Sequence, residues 1–145
     1  MQQFRLRYVA VLVALLLAGA ACGGDNSGDT ADSGSSTPAP TLSGSPAQNM
    51  DTVMQMGVSA LQNNAGNPAA AAGELSTIMN NYNVAELRAA ARSAKEAGQG
   101  ASEEEKAAFK AAQEAYKKLA TEVGGADPAA FNAAHAEWSK AWGIN

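Results

Sequence analysis

Apolar side chains recur at helical spacing from Met50 onward: Met50, Val53, Met54, Gly57, Val58 and Leu61 fall at i, i+3, i+4, i+7, i+8 and i+11, on one face of a helix. Asn63-Asn64-Ala65-Gly66 interrupts that stripe. Asn67-Pro68 then opens a second helix, asparagine as its cap and proline in the first turn, where a missing N–H costs nothing. Leu75, Ile78, Met79 and Tyr82 form its stripe. Asn83, with Glu86 three residues on, reads as a further cap, and a narrow face of Val84, Leu87, Ala91 and Ala94 follows it. One residue separates these two segments, so they are expected as two helices or as one kinked rod.

Gly98-Gln99-Gly100 closes that stretch. Ser102 followed by Glu103, Glu104 and Glu105 is the strongest helix start in the chain, a hydroxyl cap with three carboxylates against the positive end of the helix dipole. Phe109, Ala112, Tyr116, Leu119 and Val123 make its seam, with the three-and-four spacing of bundle packing. Gly124-Gly125 is expected to end this helix and Asp127-Pro128 to start the last one. Phe131, Ala134, His135, Trp138, Ala141 and Trp142 form the final stripe, and Gly143 stops it. With short loops and no alternating β-branched runs, the pattern predicts an all-α antiparallel bundle of four or five helices over residues 48–145.

The first 47 residues follow other rules. Arg5 and Arg7 precede an apolar run from Val9 to Ala18, too short to span a bilayer comfortably, and then Gly19-Ala20-Ala21 leads into Cys22. A signal that ends on the chain's only cysteine resembles the lipobox of bacterial membrane lipoproteins, although Gly19 stands where that pattern usually has leucine. The resemblance implies cleavage after residue 21 and lipidation of Cys22 by palmitate-type acyl chains, two or three of which give stable membrane attachment. Residues 22–47 then read as a lipidated N-terminus and flexible linker of Gly, Ser, Thr, Asp and Pro with one large apolar residue, Leu42. A chain of about 25 such residues reaches about 25–30 Å. The Ser36 to Thr41 stretch reads as solvated spacer.

Composition narrows the function. Of the 46% hydrophobic residues about half are alanine, 34 in all, so the core is thin and built from methyl groups around a few large side chains. Removing the signal leaves eight basic against fourteen acidic residues, a net charge of −6. Such a chain lacks the basic patch that nucleic acid or anionic lipid requires, so no nucleic-acid partner is expected. No charge falls between Thr52 and Gly73, and the exposed positions there are amides and hydroxyls, a face that suits solvent or another protein.

One histidine and one cysteine exclude a disulfide framework and a multi-histidine metal site within one chain. His135 falls between Phe131 and Trp138 on the last stripe, the place of a packed, hydrogen-bonded core residue. Ser139 lies one turn on, but a serine and histidine on one helix lack the oriented acid and oxyanion site of a hydrolase. Glu103 to Glu105 point about 100° apart as consecutive helical residues, so they read as a helix start and not as an acid/base pair. Met50 and Met54 share the core stripe and Met56 lies off it, so the three thioethers do not converge on copper.

A methionine and a histidine facing each other inside a bundle can ligate haem iron. Asn49-Met50-Asp51-Thr52 and Asn132-Ala133-Ala134-His135 resemble the ligand-bearing segments of the small periplasmic haem-b four-helix cytochromes. That resemblance implies Met50 and His135 as ligands. If the bundle has four elements with first and last helices adjacent, Met54 lies about seven residues into its helix and His135 about eight from the end of its own, at similar heights. The sequence therefore predicts a non-enzymatic, lipid-anchored, extracytoplasmic helical module that binds or assembles with a protein partner, on the outer face of the bacterial cytoplasmic membrane or the periplasmic side of the outer membrane. The alternative is a haem b or small-ligand carrier using His135 with Met54 or Met50.

Overall fold

The computed structural model describes residues 39–144, and Cys22, the signal and most of the linker lie outside them. Among the described residues there are five helices: α1 (Pro46–Asn63), α2 (Pro68–Asn81), α3 (Val84–Glu96), α4 (Glu103–Ala126) and α5 (Pro128–Trp142). The all-α bundle expected from the stripes is what forms. None of the helices is long and apolar enough to cross a membrane.

Local chemistry fixes the helix ends. Ser45 accepts from the Gln48 N–H while the Gln48 side chain accepts from the Ser45 N–H, a reciprocal cap, and Ser102 with Glu105 does the same for α4. Asn67, Asn83 and Asp127 each accept one N–H of the turn they precede. Proline occupies the first turn of α1, α2 and α5. Each such cap typically contributes about 1 kcal/mol. At the other end, α3 and α5 stop on Gly98 and Gly143, whose φ values of 74° and 67° are left-handed. The paired hydrogen bonds from Gly98 and Gln99, and from Gly143 and Ile144, close those ends and return Ile144 to the core.

Two expectations need correction. The linker was expected to run to Ala47, yet α1 starts at Pro46, Leu42 packs against the core and Tyr82 donates to the Pro40 carbonyl at 2.7 Å. The fold captures this segment because Ser45-Pro46-Ala47-Gln48 is itself a capping sequence. Gly124-Gly125 does not end α4, which continues to Ala126; Asp127 both closes it and caps α5. Of the two arrangements left open for α2 and α3, separate helices form, since Tyr82 is extended (φ −128°, ψ 118°) and turns the chain between them.

That break sets the topology. α1 packs on α4, α3 and α2, and α5 packs on α2, α4 and α3. The helix starts of α1 and α4 meet where the Ser45 hydroxyl donates to Glu105 at 3.2 Å, and the end of α5 returns there, with Phe109 and Trp142 rings 5.7 Å apart. Each hairpin, α1–α2 and α4–α5, is thus antiparallel, and the two lie side by side with α1 against α4 and α2 against α5. α1 and α5 face each other across the diagonal. They meet where Gly57, lacking a side chain, admits the Trp138 ring. Around that point Val53, Met54, Leu61, Leu75, Tyr116, Val123, Phe131 and Trp138 are fully buried.

Candidate functional site

His135 is half-buried on α5, with Nδ1 3.0 Å from the Tyr116 hydroxyl of α4. Its ring stacks on Phe131 at 5.5 Å and on Tyr116 at 5.8 Å. Burial pushes the Tyr116 phenol far above its ordinary range and pushes the imidazole below 6.5. Both are therefore neutral at pH 7. With both groups neutral, one hydrogen bond joins the phenol and Nδ1, and the imidazole tautomer sets which of them donates. The other face of His135 lines an open groove with Lys117, Thr121, Ala136 and Ser139, and no carboxylate is among its lining residues. A serine, an imidazole and no acid supply no nucleophile activation.

The structure does not bring His135 together with either methionine. Gly57 and Trp138 mark one level of the bundle, and from it Met54 lies three residues toward the start of α1 while His135 lies three residues toward the start of α5. Because the two helices run oppositely, these displacements add, to about 9 Å along the axis for Met54 and about 15 Å for Met50. The equal heights expected for Met54 and His135 required α1 and α5 as adjacent helices of a four-element bundle, and the separate α3 removes that condition. Met54 is fully buried, and Met50 lines a slot of about 190 Å³ with Ala47, Ala91, Ala101 and Phe109, away from His135.

The acidic run behaves as a helix start. Glu105 accepts from the Ser102 N–H at 2.8 Å and from Ser45, and Glu103 pairs with Lys106 at 2.6 Å. The Ser102 N–H holds the Glu105 carboxyl below the usual carboxylate range, and the Lys106 hydrogen bond does the same for Glu103. Among the described residues no three His, Cys, Asp or Glu side chains are grouped to hold a metal ion.

Two features were not read from the sequence. Tyr116 stood in the seam of α4 without a sign that its hydroxyl needed a partner; the signal available was that a buried phenol opposite the chain's only imidazole would find it. Asp51, which enters the sequence reading only within Asn49-Met50-Asp51-Thr52, has its Oδ1 buried with no hydrogen-bond partner among the described residues. Comparison with protein-family models, with curated proteins and with solved structures yields no match.

Proposed function

We propose that this chain is a lipid-anchored helical module held outside the cytoplasmic membrane, which binds or assembles with a protein partner and performs no catalysis itself. The observation that carries the reading is the signal ending at Cys22, followed by a spacer and then by a bundle that caps itself from Ser45. Acyl chains on Cys22 supply membrane affinity, the spacer supplies reach, and the bundle presents surface. The charge-poor α1–α2 face, with Thr52, Gln55, Ser59 and Gln62 exposed, is the surface offered to a protein. A face of short polar side chains desolvates at lower cost than one covered in lysine and glutamate.

Intact-mass analysis of the native membrane-fraction protein tests the anchor. The expected mass is that of a chain beginning at Cys22 with acyl groups attached, and Cys22→Ser is expected to leave the protein unprocessed or soluble. An unmodified Cys22 in the membrane fraction would overturn the reading.

A further inference from the structure

The fold leaves the apolar stripe of α3 largely uncovered. Of Val84, Leu87, Ala91 and Ala94 only Val84 is buried, since α3 packs mainly on α1 and α5. Ala91 lines the slot of about 190 Å³ at the start of α1 instead. Met50 of α1 and Phe109 of α4 line it too, each half-buried although each belongs to an apolar stripe. Ala47 and Ala101 complete the apolar lining, and Glu105 and Lys106 are its only polar residues.

A second hollow, of about 200 Å³, adjoins the slot and shares Ala47, Ala91, Ala101 and Lys106 with it. Lys95 lines this one as well, and no carboxylate does. An acidic chain thus sets positive charge at one end of an apolar slot. Lys95 forms no ion pair among the described residues, while Lys106 pairs with Glu103 at 2.6 Å. Glu105 is already engaged, by the Ser102 N–H at 2.8 Å and the Ser45 hydroxyl at 3.2 Å.

The lining decides what fits. An extended peptide would bury its N–H and C=O groups against alanine, methionine and phenylalanine, with no free side chain to pair them. A helix satisfies its own backbone, but at about 10 Å across it is too wide. An alkyl chain has no polar group to satisfy and gains free energy with each methylene removed from water. The positive end suits an anionic head. Lys95 and Lys106 suffice for one carboxylate, whereas a bilayer surface needs a broad basic patch.

We propose that this slot takes the alkyl chain of a free fatty acid, with Met50, Ala91 and Phe109 around the tail and the carboxylate beside Lys95 and Lys106. The assignment goes beyond the anchored-module reading and does not depend on it.

The test is an amide-shift NMR titration of the processed chain, residues 22–145, carrying Cys22→Ser so that no acyl group of its own competes. Sodium dodecanoate, below its micelle concentration, is expected to bind one to one and to move the amides of Ala47, Met50, Ala91, Ala101 and Phe109. Dodecyltrimethylammonium, with the same tail and a cationic head, is expected to bind more weakly, and acetate not at all. From octanoate to dodecanoate the affinity is expected to rise by up to about fourfold per methylene. Lys95→Gln is expected to weaken dodecanoate about threefold, and Lys106→Gln by less because Glu103 already holds that ammonium. Ala91→Phe fills the slot and is expected to abolish binding. Ala101→Leu, outside the helices, narrows the slot without touching α3 and is expected to weaken binding even if Ala91→Phe does not fold. Equal binding of the cationic amphiphile, affinity independent of tail length, or full affinity in Ala101→Leu or a folded Ala91→Phe would each overturn the proposal. Shifts produced by phosphatidylglycerol vesicles but not by monomeric dodecanoate would assign the face to a membrane surface and overturn it too. A concentration-dependent dimer broken by Ala91→Phe would do the same in favour of a second copy of the chain.

Discussion

The two hairpins divide the work of folding unequally. α4–α5 carries an unbroken ladder of rings, from Phe109 to Trp142, Trp138, Tyr116, His135 and Phe131, each 5.4–5.8 Å from the next. α1–α2 has no ring in either helix and packs with Val53, Met54, Val58, Leu61, Ala71 and Leu75. The outer faces differ in the same way. α4 alone carries nine charged residues of both signs, whereas α1 and α2 carry one carboxylate each. The second hairpin is specified by bulk and by charge; the first is specified by what it leaves out, a side chain at Gly57 and cations along its outer face. Such a division lets one half of a thin, alanine-rich bundle hold the core while the other half keeps a lightly charged face.

The sharpest way to break this complementarity is to fill the space at Gly57. A Cβ there would stand 2.6 Å from Trp138 Cη2, inside contact distance of a ring that is fully buried and cannot swing away. Overpacking of this kind costs about 1–3 kcal/mol even though alanine is the better helix former. Gly57→Ala is therefore expected to lower the urea midpoint. Gly57→Ala combined with Trp138→Phe is expected to lose less than the two single changes summed, because the smaller ring vacates the clash. Additive losses would show that the two residues do not share the space described.

Within the second hairpin, the Tyr116–His135 bond is unequal in its exposure. Tyr116 is fully buried and His135 is half-exposed, so removing either partner strands a different group. His135→Leu leaves a phenol buried without a partner, expected to cost about 1–3 kcal/mol, whereas Tyr116→Phe leaves an imidazole that can turn to water, at about 1 kcal/mol. The double variant His135→Leu/Tyr116→Phe is expected to recover part of the first loss. Equal costs in chemical denaturation would mean that the phenol finds another partner.

A smaller effect of opposite sign is expected in the first hairpin. Gly73 sits inside α2 with nothing within 4 Å of a Cβ, so Gly73→Ala adds helix propensity without a clash. Stabilisation of about 0.5–1 kcal/mol is expected from the reduced freedom of the unfolded chain. A loss at Gly73 would show that the outer face of α2 is occupied.

Much of this architecture was legible because it is local. The stripes of α1, α4 and α5 and the caps at Asn67, Ser102 and Asp127 depend on residues within four positions of one another, and they form as the pattern indicates. What was illegible depended on distance in the sequence. Whether Asn83 begins a new helix or continues a rod is decided by the extended turn at Tyr82, and Tyr82 is held there by Pro40, some forty residues away. The order of helices around the bundle follows from that turn, and with it the separation of Met54 from His135. Gly57 looked like one more small residue on an apolar stripe; only the arrival of Trp138 from across the diagonal gives it a purpose. Gly124-Gly125 misled because glycine is read as a stop, while the capping Asp127 and the packing of Val123 carried α4 past it.

Acidification gives the gentlest probe of the difference between the hairpins, because the imidazole that responds first belongs to the second. Burial lowers the pKa of His135 below its ordinary 6.5, so the folded state binds its proton less readily than the unfolded chain. Stability from this group is fully present above pH 6.5 and is lost as pH falls through the lowered folded value, where the unfolded chain takes up a proton that the folded one resists. The Glu103 and Glu105 carboxyls are lowered too, but from 4.5, so their contribution fades only at still lower pH. In the imidazolium both ring nitrogens are donors, so after protonation the Tyr116 hydroxyl can only accept across the 3.0 Å contact. The urea midpoint is therefore expected to fall between pH 7 and pH 5 in wild type and to stay level over that range in His135→Leu. A slope that survives the substitution would place the titrating group elsewhere, and a midpoint that rises on acidification would mean that His135 gains a proton on folding, contrary to its burial against Phe131 and Tyr116.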